Sequence, residues 1–303
     1  MGPYRLADPA SLWASPAVSS LDEAIFYTLT YADVFNYPLT LAEVHRYLIG
    51  MRSTRDAVAE ALRGLPDCAV GGGYYALPGH TPLTDVRQRR ERIAATMWPR
   101  ALAYARAISR LPFVRMVALT GGLSMGNVEP NDDIDLLVVT MSDRVWVTRL
   151  FIIQFVVKAA ARHGDEVCPN YLLAEHALAM HERTLYHAHE VAQMVPLYGA
   201  GVYRSLRDAN RWVDHFLPNA QGPPPRDVAS GEGAWRYRAI LEAPLRSPLG
   251  AWLDRWEMAR MSRKLAVSAG TEELALSHER CKGHTGSHGN VTRDAFVSRL
   301  SRD

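Results

Sequence analysis

GGLSMGNVEPNDDIDLLVV, residues 121–139, sets two aspartates one residue apart in an apolar run, behind a glycine pair and a polar loop. Ile134, Leu136, Leu137, Val138 and Val139 follow a loop of Asn, Pro and Asp, the pattern of a buried strand. Side chains alternate across a strand, so Asp133 and Asp135 share one face, with Ile134 and Leu136 on the other. Two carboxylates so close repel, and burying an unpaired charge is costly, so a positive charge is expected between them. A divalent cation fits best. Mg²⁺ prefers oxygen ligands and is commonly held by one or two carboxylates together with substrate phosphates. Upstream, FVRMVALT (113–120) reads as a second strand that runs straight into Gly121-Gly122. Glycines let the backbone approach a ligand, and their successive N–H groups can form an anion-binding nest. Gly126-Asn127 then turns the chain. A phosphate cradle followed by two metal ligands is a site for a nucleoside triphosphate bound with Mg²⁺.

An apolar strand, Gly-Gly, a loop, then acid-apolar-acid-apolar resembles the signature of the DNA polymerase β-like nucleotidyltransferase superfamily. Gly121, Gly122, Asp133 and Asp135 match it position by position, and the resemblance covers roughly residues 109–200. It implies an α+β fold: a polymerase β-like nucleotidyltransferase core, a mixed sheet with helices. It also implies an enzyme in which Asp133 and Asp135 hold Mg²⁺ (or Mn²⁺), with an NTP as substrate. An acceptor hydroxyl attacks the α-phosphate and pyrophosphate leaves, across two metals roughly 3.5–4 Å apart. Nucleotide-binding residues are then Gly121, Gly122 and Ser124, with Lys282 reaching in from the C-terminal region. The chain departs from the pattern in three places. Gly122 stands where many members carry Ser, and Met125 where many carry Arg. The usual third acid, on a later strand, is missing from EVCPNYLLA (166–174). Asn170 at its centre is the catalytic candidate, with Glu166 and Glu175 as alternatives for the third ligand.

The 303 residues suffice for about two domains. With 48% apolar and 22% charged residues, an ordinary globular fold is expected. A net charge of +2 is too small to argue for bulk nucleic-acid binding. Cys68, Cys168 and Cys281 are few, odd in number and far apart, which suits a reducing cytoplasm. Val145–Ala161 is the most apolar long segment, but Arg149, Gln154 and Lys158 interrupt it. It reads as a helix buried on the sheet, short of the ~20 residues of a membrane span.

Around the core, residues 1–20 read as an irregular arm. Leu21–Phe35 is a helix, and Thr40 with Glu43 forms a capping box for a second over Leu41–Ile49. Ser53 or Thr54 opens a third, and Ala69-Val70, three glycines and Tyr74–Leu77 form a hairpin. Residues 21–82 thus resemble a winged-helix domain, for which protein or substrate docking is favoured over DNA, because the third helix mixes Arg52 and Arg55 with Asp56 and Glu60. Residues 83–108 form a connecting helix whose Arg87, Arg89, Arg90 and Arg92 read as a solvated face, with a phosphate or RNA contact as the alternative. His176, His181, His187 and His189 read as a partly exposed helical surface, with His189 or Glu190 able to line the cleft. Residues 201–270 are accessory helices with a linker over 219–233, and residues 271–303 are a C-terminal tail. In that tail Lys282 and His284 either meet phosphates in the cleft or lie on the surface.

The expected partners are a nucleoside triphosphate and an acceptor, either a small molecule or a protein. DNA or RNA is weakly supported, and no membrane is expected. Two alternatives stand beside the transferase. One is a nucleotide-sensing, DNA-binding winged-helix regulator with an inactive core. The other is an antitoxin-like enzyme that nucleotidylates a partner protein.

Overall fold

The computed structural model describes residues 9–78, 83–226, 236–266, 276–282 and 288–301. After α1 (Pro9–Ala14), Ser20 opens α2 (Leu21–Asp33) by accepting the Glu23 N–H at 3.2 Å. β1 (Leu39–Thr40) passes directly into α3 (Leu41–Arg46), where Thr40 and Glu43 close the expected capping box. Thr54 caps α4 (Arg55–Arg63). β2 (Ala69–Gly71) and β3 (Tyr74–Tyr75) form the hairpin, and β1 completes a three-stranded antiparallel sheet in the order β1-β3-β2. This N-terminal unit has its own small core of Ile25, Leu29, Val44, Leu48, Val58 and Leu62.

α5 (Leu83–Ser109) leads to β4 (Val114–Leu119), α6 (Gly121–Met125) and β5 (Ile134–Thr140). α7 (Val145–Phe151) continues through a π-helical segment, Ile152–Val157, into α8 (Lys158–Arg162). β6 (Val167–Ala174), α9 (Leu185–Gln193), β7 (Val195–Tyr198), α10 (Ala200–Ala209) and α11 (Val213–Phe216) follow. α12 (Arg236–Leu245), α13 (Pro248–Ala266), β8 (Arg280–Lys282) and α14 (His288–Leu300) end the fold. The second sheet has the order β7-β4-β5-β6-β8, with β5 and β6 parallel and the other pairs antiparallel. The chain is therefore an α+β protein with a mixed five-stranded sheet.

Strand alternation divides the interior into two layers. Met116, Ala118, Leu137, Val139 and Leu173 pack with α9, α10 and α14, together with Tyr27 and Tyr31 of α2. Val117, Leu119, Leu136, Val138 and Leu172 pack with α5, α7 and Met261 of α13. Asp135 shares the parity of Leu137, so it faces the layer where the N-terminal unit docks.

Several expectations are corrected. The arm is anchored by α1, with Leu12 and Trp13 in the main core, because these two large apolar residues fill space beside Phe296. α3 stops at Arg46, before Tyr47, Leu48 and Ile49 turn into the core. Arg87 is no solvated residue: it is 4% exposed, bonded to Glu43 and Glu91, with its guanidinium 3.8 Å from the Tyr37 ring centroid. Arg89 and Arg90 both engage Glu129. The histidine region is helical only from Leu185, and His187 and His189 are buried. The tail is no surface tail: β8 is an edge strand of the main sheet, and α14 packs Phe296 and Leu300 into the core. β7 had no clear strand signal, since four residues that include Pro196 are too short to show alternation. Val145–Ala161 is indeed helical and packed on the sheet through Trp146, Ile152 and Val156. No helix among the described residues is long and apolar enough to cross a membrane. His284 and the linker from residue 227 to 233 lie outside the described residues.

Candidate functional site

The site forms where β4 ends and β5 and β6 begin. Gly121 follows β4 at φ +64°, and a Cβ on it would lie 2.2 Å from Asp135 Oδ2. A Cβ on Gly122 would lie 2.5 Å from the Asn127 carbonyl oxygen. Both glycines are thus required by close packing against the strand and loop that deliver the aspartates. α6 spans a single short turn, closed by Gly126 at φ +73°. Thr120, at its N-cap, receives Asn170 Nδ2 at 3.4 Å on its hydroxyl and does not cap the helix with its side chain.

Asp133 sits just before β5 and Asp135 within it. One ligand atom from each of Asp133, Asp135 and Cys168 lies within 4.8 Å of the others. Cys168 enters through a register shift. Asp135 pairs with Cys168 and Leu137 with Tyr171, so β6 uses three residues where β5 uses two. In an unbroken strand Cys168 would share the face of Leu172, in the opposite layer. The irregularity at Pro169-Asn170 brings it beside Asp135.

Asp135 Oδ1 accepts Asn170 Nδ2 at 3.2 Å, and the Cys168 thiol also donates to this carboxylate. Burial, with the charges of Asp133 and Glu190 added, nevertheless pushes Asp135 up to about 8. Burial and the surrounding acids, Asp135, Asp133 and Glu166, push the Cys168 thiol up to about 12. Burial raises Glu190, on α9, to about 7, with Lys282 pulling the other way.

Above Asp135 lies a cavity of about 230 Å³. One wall is Gly121, Gly122, Asp135 and Asn170; the other is Tyr31, Phe35, Tyr37 and Tyr47 of the N-terminal unit, with Tyr186, His189 and Glu190 from α9 and its approach. No Lys or Arg stands among the described residues that line it. The His189 ring stacks on Tyr31 at 3.8 Å, and its Nδ1 donates to the Leu185 carbonyl. Burial lowers its pKa to about 4, so the ring is neutral. Tyr37 donates its hydroxyl to the Met125 carbonyl at 2.5 Å, tying the N-terminal unit to α6.

The residues expected from sequence fare differently. Gly121, Gly122, Asp133, Asp135 and Asn170 come together. Ser124 does not: it is 1% exposed, and its hydroxyl is spent on the Gly121 carbonyl at 2.8 Å. Lys282 lies in an adjoining small cavity with Asn170 and Glu190, and its Nζ pairs with Glu182 at 3.3 Å. Glu175 is excluded as a third ligand, because it follows the far end of β6 and faces Arg115 and the Ser142 N–H. Glu166 lines a separate cleft of about 540 Å³ that also reaches Cys168 and Asn170, and it is not part of the three-residue cluster. Sequence reasoning missed Cys168 as a member of the site; its signal was a proline one residue later, inside a strand. It also missed the tyrosine wall, which lies about a hundred residues upstream and is joined only by the fold.

By class this is an α+β protein with an acidic, aromatic-walled cavity at the head of a mixed sheet. No family model, no curated protein and no solved structure matches the chain.

Proposed function

We propose that the chain is a metal-dependent nucleotidyltransferase that moves a nucleoside monophosphate from an NTP to an acceptor hydroxyl with release of pyrophosphate. The observation that carries this reading is the packing of the Gly121-Gly122 turn against Asp135 at the floor of a cavity of about 230 Å³, with Asp133 beside Asp135. A side-chain-free turn beside paired carboxylates suits phosphates that arrive with a divalent cation. Held by Asp133 and Asp135, such a cation would supply neutralisation of phosphate charge. The cavity supports this need, since its described lining offers two acids and no Lys or Arg to a triphosphate. Asn170 orients Asp135 by its hydrogen bond. Glu190 is placed to accept a proton from an acceptor hydroxyl within the same cavity.

The N-terminal unit, winged-helix-like in its order of elements, acts in this reading as the cavity's second wall. A DNA-binding role is not favoured. The exposed side of α4 offers Arg55 and Arg63 beside Asp56 and Glu60, and Arg63 already pairs with Glu60. A cavity of about 230 Å³ favours a small-molecule acceptor over a protein.

The test is transfer of α-labelled nucleotide from each NTP in a lysate with Mg²⁺, Mn²⁺ or Zn²⁺, using Asp133→Ala/Asp135→Ala as control. Label that enters a small product only with intact aspartates supports the reading. Label on a protein band moves it to the partner-modifying enzyme. Failure of metal-dependent NTP binding together with absence of transfer overturns it.

A further inference from the structure

We propose that Cys168 is itself a metal ligand, and that Asp133, Asp135 and Cys168 form a mixed carboxylate–thiolate site selecting a transition cation of the Zn²⁺ or Co²⁺ class over Mg²⁺. The inference rests on the reading above only in placing a cation at the two aspartates.

Three observations carry it. First, the ligand atoms are already gathered: one from each residue, all within 4.8 Å of one another. Second, the thiol is brought there by a specific backbone irregularity. Without the extra residue at Pro169-Asn170, Cys168 would leave the face of Asp135 and join the layer of Leu172. A bulge that re-aims one side chain toward a site is a common use of the device. Third, the alternatives are spoken for. Glu175 is at the other end of the strand, Asn170 turns its amide nitrogen toward Asp135, and Glu166 is outside the cluster. Cys168 also borders the cleft of about 540 Å³.

Ligand chemistry then sets the preference. Two carboxylates alone suit a hard cation, whereas sulfur selects softer ones. The thiol now donates a hydrogen bond to the Asp135 carboxylate. As the sulfur–metal bond forms, the thiol proton leaves to solvent together with any proton held by Asp135, and nothing is oxidised or reduced. The bound cation removes the mutual repulsion of the two acids in the same event.

The experiment uses the full metal-free chain titrated with Co²⁺, read by the near-ultraviolet thiolate-to-cobalt charge-transfer band, with Zn²⁺ and Mg²⁺ competed against it. One equivalent of Co²⁺ is expected to produce the band. Cys168→Ser should abolish it and weaken Zn²⁺ binding by about tenfold or more, while Mg²⁺ affinity stays unchanged. Cys68→Ser and Cys281→Ser should retain the band, and Asp135→Asn should weaken it. Cys168→Asp, a second variant that keeps a ligand in place, should shift preference toward Mg²⁺. Co²⁺ binding without the band, or a band that survives Cys168→Ser, overturns the proposal. A thiolate-bound metal in a chain that transfers no nucleotide sinks the transferase reading alone. Transfer with Mg²⁺ and no thiolate band sinks this inference alone.

Discussion

Gly121 and Asp135 meet so closely that a Cβ on the glycine would lie 2.2 Å from the carboxylate oxygen Oδ2. The glycine also holds φ +64°, where L side chains cost roughly 1–2 kcal/mol. Overpacking adds a comparable penalty, about 1–3 kcal/mol. Gly121→Ala is therefore expected to lose about 2–5 kcal/mol in urea unfolding and to displace Asp135. Cation affinity should fall by about tenfold or more, as when a ligand loses its support. An alanine variant with unchanged stability and cation affinity would contradict the packing relationship.

Asp135 makes stability depend on pH in an unusual direction. Its pKa in the folded chain, about 8, lies above that of an unfolded aspartate. The unfolded chain thus gives up this proton first. The contribution is complete below about pH 4 and is lost as pH rises through about 8. Glu190, at about 7, acts with the same sign. Asp135→Asn should match the wild type near pH 4 and exceed it near pH 9 by a few kcal/mol, because each tenfold difference in proton affinity is worth about 1.4 kcal/mol. A divalent cation should restore the wild type at pH 9 and move the variant much less. Thermal unfolding across pH, with and without cation, measures both effects.

What the sequence disclosed here was local. Asp133 and Asp135 could be read because strand alternation and the preceding glycines are properties of neighbouring residues. The capping box and the hairpin were legible for the same reason. Cys168 was not, because its face depends on a register shift against a partner strand, and alternation alone assigns it to the wrong side. The tyrosine wall depends on how the N-terminal unit docks, which no periodicity records. Lys282 shows the same limit: a short strand in a glycine- and histidine-rich segment reads as tail until β6 supplies its partner.

Arg87 holds the N-terminal unit to α5. Its guanidinium bonds Glu43 at 2.9 Å, Glu91 at 2.7 Å and the Pro38 carbonyl at 3.1 Å while lying over Tyr37. Removing one member of a buried pair leaves the other charge uncompensated, typically at about 3–5 kcal/mol. Arg87→Ala should approach that loss in chemical denaturation. Arg87→Lys should recover less than half of it, because an ammonium cannot serve three acceptors in a plane and stack on a ring. Tyr37 also bonds Met125, so both variants should loosen α6 and, on the proposed transferase reading, raise the concentration of NTP needed for binding. A lysine variant as stable as the wild type would reduce Arg87 to a simple charge.

His189 sets the acid limit. Burial between Tyr31 and α9 keeps the imidazole neutral and lowers its pKa to about 4, below that of an unfolded histidine. The stability it contributes is present above about pH 6.5 and is lost as pH falls through about 4. That slope opposes the one from Asp135 and Glu190, but the two acids outweigh the one histidine, so these three groups together should make the metal-free chain lose stability as pH rises above about 4. His189→Phe keeps an aromatic ring against Tyr31 and removes the titrating group. It loses only the bond to the Leu185 carbonyl, worth about 1 kcal/mol. The variant should begin slightly less stable at pH 7 and become the more stable protein near pH 4. If the two unfolding profiles run parallel from pH 7 to pH 4, the histidine is already protonated in the fold and cannot be the neutral wall of the cavity.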